Sequence, residues 1–197
     1  MGMKRYIRAF ELTLHEDLID VPRKWLKPRM VFVNSMSDLF HEDIPFGFIE
    51  RVFKTMEGCP QHTFQVLTKR SSRLRDLAPG LPWPGNIWIG VTVEDEDNLY
   101  RVDDLREVPA HTRFLSCEPL LGPLDRLSLE DIHWVIVGGE SGPKARPMML
   151  DWVTPILGLC QRQSVPFFFK QWGGLQKGRN GRSLEGRTYD ELPCTSR

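Results

Sequence analysis

Seven short segments rich in Val, Ile, Phe and Thr begin at intervals of 20 to 33 residues, and that spacing constrains the fold more than any other feature. They are FELTLH (10–15), MVFVNSM (30–36), TFQVLTK (63–69), IWIGVTVE (87–94), RFLSCEP (113–119), HWVIVGGE (133–140) and PFFFKQW (166–172). Helical patterns lie between several of them. In PFGFIERVFKTMEGC (45–59), Phe48, Ile49, Val52, Phe53 and Met56 fall on one face of a 3.6-residue period, with Gly58 as a stop signal. DNLYRVDDLREV (97–108) and MLDWVTPILGLCQRQ (149–163) are further helices, and Pro155 should kink the second or mark its first turn. Strand, helix, strand at this spacing means βαβ units and a parallel sheet.

A complete (β/α) barrel has eight strands in about 250 residues. Seven strands in 197 residues leave a deficit of one βα unit, which falls at the front because FELTLH starts close to Met1. The expected fold is an α/β, incomplete TIM-like barrel of about seven parallel strands over residues 1–175. An irregular Gly- and Arg-rich tail, 176–197, follows it.

Polar residues collect at the same end of every segment. The strands finish in Thr13 and His15; Asn34 and Ser35; Thr68, Lys69 and Arg70; Thr92 and Glu94; Ser116 and Glu118; Gly138, Gly139, Glu140 and Ser141; and Lys170 and Gln171. In parallel α/β folds the carboxyl ends of the strands carry the site. Side-chain alternation sharpens the point. Ile87, Ile89, Val91 and Val93 should meet the helices, while Trp88, Gly90, Thr92 and Glu94 face the other way. The same parity gathers Glu11, His15, Asn34, Gln65, Lys69, Glu94, Glu118, Glu140 and Lys170 on the interior, which on this reading is not a dry core. Buried charges must pair, meet water or surround a polar ligand. Two readings stay open: a ligand site in the barrel mouth, and internal Glu–Lys pairs with no ligand.

Twenty-six basic residues balance 26 acidic ones, so no global field steers the chain onto nucleic acid or an anionic membrane, although local patches can still bind nucleic acid. No apolar run approaches the ~20 residues a bilayer needs, and no secretory signal is legible, which gives a cytoplasmic expectation. Cys59, Cys117, Cys160 and Cys194 are too far apart for a zinc knuckle or an iron–sulfur loop. His41 and His62 show no metal-binding pattern, and no H-E-x-x-H, P-loop or G-x-S-x-G motif occurs. Asp38 reads as a cap, the six tryptophans as packing, and Lys177, Arg179, Arg182 and Arg187 as a solvated loop or phosphate contacts.

Six ordered motifs carry a resemblance: VNSMSDLFHEDIP (33–45), QHTFQVLTKR (61–70), IWIGVTVED (87–95), FLSCEPLLGP (114–123), DIHWVIVGGESGPKARPM (131–148) and VPFFFKQWGG (165–174), followed by LEGRTYDELP (184–193). From about Phe10 to Pro193 the chain resembles phage-associated, three-Cys-motif proteins of unknown function, which look like relatives of radical S-adenosylmethionine enzymes. The resemblance implies a 4Fe–4S cluster and S-adenosylmethionine as family cofactors. The cluster's three closely spaced cysteines would precede the segment like FELTLHEDLID, and no such run stands there, so this sequence by itself supports no cofactor. The expectation is a shortened form or a misplaced start. The resemblance also implies a nucleoside-type cofactor at Asn34, Ser35, Glu94, Ser116, Glu118, Glu140 and Ser141. From their place at the strand ends, Lys69, Arg70 and Lys170 either bind the carboxylate or phosphate of a substrate or pair with those glutamates, and His15 is either a further substrate contact or, as a lone histidine, a structural hydrogen bonder. No catalytic residue is assigned. The alternative is a non-catalytic accessory protein that binds a nucleotide or nucleic acid.

Overall fold

A computed structural model describes residues 12–34, 37–176 and 179–194. Six strands form one sheet: β1 (Met30–Val33), β2 (Thr63–Thr68), β3 (Ile87–Thr92), β4 (Thr112–Cys117), β5 (Trp134–Gly138) and β6 (Phe167–Gln171). Every neighbouring pair is parallel and the spatial order is the chain order, so the sheet curls as a half-barrel. The expected seventh strand is not found among the described residues. Phe10 and Glu11 lie outside the described residues, and Leu12 to His15 have no strand pairing. His15 instead stands directly before the short helix α1 (Glu16–Ile19), whose first turn holds Glu16 and Asp17 at the end of the helix dipole that favours anions.

The helices cover the convex face. α2 (Phe46–Glu57) follows β1 and buries Ile49, Phe53 and Met56, at the spacing of one helical face, before Gly58 ends it. α3 (Ser71–Leu77) follows β2, α4 (Tyr100–Arg106) follows β3, and α5 (Leu150–Gln163) follows β5. α5 continues through Pro155 at its sixth position and does not start there. The connection from β4 to β5 has no helix. Leu120, Leu124, Leu127, Leu129 and Ile132 fill the same layer from irregular backbone.

Alternation along the strands separates two cores. Val66, Ile87, Ile89, Val91, Leu115, Val135, Val137, Phe167 and Phe169 pack with the helices in the larger one. Trp88, Phe114 and Trp134 form a second cluster on the concave face, flanked by Leu67, Ile136 and Phe168. The concave interior is therefore dry at this level, and the expectation that it is not a dry core holds only nearer the carboxyl ends of the strands. The large rings pack there because Gly90 has no side chain: a Cβ at that position would stand 2.5 Å from Phe114 Cε2.

Two histidines tie strand entrances together. His62 Nδ1 accepts the Arg29 N–H at 3.2 Å ahead of β1, and its Nε2 lies 3.1 Å from the Pro22 carbonyl. His133 Nδ1 likewise accepts the Arg113 N–H at 3.1 Å, and burial, with Arg113 nearby, holds its pKa below the usual range. Both imidazoles have structural partners. The tail also packs. Leu184 and Tyr189 are buried, and residues 189–191 run antiparallel along the outer edge of β6, with Phe169 N–H donating to the Tyr189 carbonyl at 3.0 Å. Arg182 pairs with Asp190 and lies over Phe168, and Arg187 lies over Tyr189, so both have partners within the fold.

Candidate ligand site at the strand ends

Past the aromatic level, the concave side chains become polar. Thr92 and Ser116 are register partners on β3 and β4, both buried. Two residues further on, Glu94 and Glu118 follow them at the rim. Lys69, just past β2, pairs with one oxygen of Glu94, and Arg101 Nη1 meets the other at 2.8 Å while also donating to the Thr92 carbonyl at 2.8 Å. Glu118 reaches across β5 to Lys170 Nζ on β6 at 2.6 Å and accepts from Ser116 Oγ at 3.3 Å. That reach depends on Gly138. A Cβ there would stand 3.1 to 3.4 Å from the Glu118 carboxylate and stem, tighter than nearly all such contacts. The peptide bond from Glu118 to Pro119 is cis.

The structure thus brings together Lys69, Glu94, Ser116, Glu118 and Lys170 from four strands. Glu140, after β5, is gripped by Arg146: its Oε2 accepts from the Arg146 backbone N–H at 2.9 Å and from Nε at 2.8 Å, and its Oε1 accepts from Nη2 at 3.1 Å. This fork holds the Glu140 pKa down at about 2. The Arg146 pKa is raised in turn, mainly by its hydrogen bonds to Glu140. Arg146 also lines a depression of about 380 Å³ with Ala145, Pro147, Met148, Trp172, Gly174 and Asn180.

Other candidates are placed elsewhere. Arg70 stands on the β2 rim but is engaged by Asp38 at 3.0 Å and by both oxygens of Glu42 at 2.9 Å. Asp38 does more than cap: it also accepts from Thr68 Oγ1 at 2.7 Å, Phe40 N–H at 2.9 Å and Lys69 N–H at 3.2 Å, fixing the end of β2 to the loop after β1. Asn34 is exposed and leaves β1 in the left-handed region at φ 57°, a conformation asparagine tolerates. Ser35 and Glu11 lie outside the described residues. Ser141 Oγ accepts from Gln171 Nε2 at 3.0 Å and so joins the β5 loop to β6. No described hydrogen bond or ion pair links His15 to the mouth.

Sequence reasoning missed Arg101 and Arg146. Arg101 carried a readable signal, because a cation in the first turn of a helix opposes the helix dipole and needs an anion to justify it. Arg146 had none beyond its proximity in sequence to Glu140.

The thiols do not fit an iron–sulfur cluster. Cys117 faces the helices, and burial pushes its pKa far up. Burial likewise pushes Cys160, in α5, up to about 12, whereas a cluster ligand must be a thiolate. Cys59 is buried in the turn leading into β2, at the opposite end of the sheet, and Cys194 is exposed in the tail. Among the described residues, no three His, Cys, Asp or Glu side chains are grouped to hold a metal ion, and no helix is long and apolar enough to cross a membrane. Comparison with curated proteins and with solved structures yields no match. A family model described as a protein of unknown function, DUF5131, matches residues 1–193, and the chain accordingly belongs to that family.

Proposed function

We propose that this chain is the barrel portion of a phage-associated, radical-S-adenosylmethionine-like enzyme, working in the cytoplasm, whose mouth binds a small polar ligand of nucleoside type. One observation carries the reading: Lys69, Glu94, Ser116, Glu118 and Lys170 come from four separate strands to the carboxyl end of a parallel half-barrel, the end at which such folds place their chemistry. The described cysteines do not fit a cluster, so no radical step is assigned to these residues. Their work in this reading is to bind and orient. Glu94 and Glu118 hold Lys69 and Lys170 in place, the lysines donate to the ligand, and the aromatic floor closes the site from below.

The misfit of the thiols also favours a second reading, an accessory protein that binds a nucleotide or a nucleic-acid end without catalysis. Thermal unfolding with S-adenosylmethionine and with short oligonucleotides separates the two. A ligand present at 100 times its Kd stabilises by about 2.7 kcal/mol, a readily measured shift. Stabilisation by S-adenosylmethionine that Glu118→Gln removes supports the enzyme reading. Stabilisation by oligonucleotide alone, fading with salt, supports the accessory reading. No stabilisation by either ligand defeats both.

A further inference from the structure

The carboxylates of the mouth are set deeper than their partners. The Glu94 and Glu118 side chains are 9% and 19% exposed, whereas Lys69 and Lys170 are 55% and 52% exposed. The surface that meets an incoming ligand is therefore ammonium, with carboxylate beneath it. Each ammonium has three N–H donors; Lys69 spends one on Glu94 and Lys170 stands in an ion pair with Glu118, so at least two donors remain available on each without breaking the pair. Nor does either glutamate depend on its lysine alone: Glu94 keeps Arg101 and Glu118 keeps Ser116.

The innermost pairs hold three cations, Lys69, Arg101 and Lys170, against two carboxylates, Glu94 and Glu118. Around them Arg146 balances Glu140, and Arg70 is matched by both Asp38 and Glu42, so the rim as a whole is neutral and the cationic character is local to the exposed lysines.

We infer that the group docking at this mouth is an oxyanion, the phosphate or carboxylate end of a small ligand, recognised by the ammonium groups of Lys69 and Lys170 that Glu94 and Glu118 hold in place. The inference rests on the reading of the mouth as a ligand site and names the chemistry it accepts. The glutamates are then positioning residues, and the lysines are the contacts.

Calorimetric titration with matched probes tests this on the full chain. Adenosine 5′-monophosphate against adenosine isolates a phosphate, and S-adenosylhomocysteine against 5′-methylthioadenosine isolates the amino-acid end with its carboxylate. In at least one pair the member bearing the phosphate or carboxylate should bind about tenfold more tightly, the value of one charge-assisted hydrogen bond. That preference should shrink with salt, vanish in Lys69→Gln/Lys170→Gln, and survive in Lys69→Arg/Lys170→Arg, which keeps the charge and controls for folding. The pair that shows the preference identifies the anion. Equal binding of charged and neutral probes overturns the inference but leaves the mouth as a ligand site, and a preference that persists in the glutamine variant overturns it by placing the anion elsewhere. Binding of none of the four probes overturns the inference together with the reading beneath it.

Discussion

The concave face of the half-barrel has two levels made from inward positions along neighbouring strands, with Arg101 of α4 reaching into the upper one. Below, Trp88, Phe114 and Trp134 exclude water. Above, Glu94 and Glu118 answer Lys69, Arg101 and Lys170. Each level uses an inward glycine so that a side chain from β4 can lie over the neighbouring strand: Gly90 admits Phe114, and Gly138 admits Glu118. What differs is the material. The lower level gains from apolar area and close packing, which serve stability. The upper level consists of paired charge, which contributes little net stability once desolvation is counted and makes sense as a positioned recognition surface.

The two levels should therefore fail differently. The largest effect belongs to the floor. Trp134→Ala, at a site almost wholly buried against Trp88, Phe114 and Phe168, should cost about 3–5 kcal/mol in urea unfolding. Gly90→Ala overpacks the same cluster, and because Phe114 is hemmed in by Trp134 the cost should lie near the top of the usual range of about 1–3 kcal/mol. An alanine at position 90 tolerated within experimental error would show that the floor is not packed as described.

At the rim the two glutamates can be set against each other. Glu94→Gln leaves Arg101, 13% exposed, without its anion, so a loss of about 2–3 kcal/mol is expected, below the usual penalty for breaking a buried pair because Lys69 is half in water. Glu118→Gln frees only Lys170, itself half exposed, and should cost about 1 kcal/mol or less. Denaturant midpoints of the two variants measure the difference. Equal losses would mean that Arg101 is not what distinguishes the two sites.

Much of this arrangement was legible in the sequence, for a physical reason. Strand parity is strict, so once IWIGVTVE and RFLSCEP were read as parallel strands, Glu94 and Glu118 had to share a face with Thr92 and Ser116. The same parity correctly sent Ile87, Ile89 and Val91 to the helices. It did not say how far up the strand the character changes. That depends on register between strands, which places Gly90 beside Phe114, and no local pattern encodes it. Of FELTLH, the described residues Leu12 to His15 make no strand pairing and at His15 the chain turns into α1; alternation alone cannot tell a strand from an unpaired stretch. Pairs made by residues outside strands, Arg101 with Glu94 and Arg146 with Glu140, depend on where helices and loops return, and that is set by tertiary packing.

The smallest effect sharpens the comparison at its outer limit, where the rim meets the depression beside Trp172. Glu140 has a pKa of about 2 in the folded protein against an ordinary 4.5, because Arg146 grips it with side-chain and backbone donors. A depressed carboxylate adds to stability fully above its ordinary range, and that contribution drains away as the pH falls from about 4.5 through 2. Since Arg146 is exposed, the global stability should hardly register the loss, but the carboxyl carbon of Glu140, followed by NMR against pH, should titrate near 2 and return toward 4.5 in Arg146→Gln. A wild-type midpoint already near 4.5 would mean that the fork is not formed in solution. Arg146 would then be a mobile surface cation, and the charged level would end at Lys170 instead of continuing into the depression.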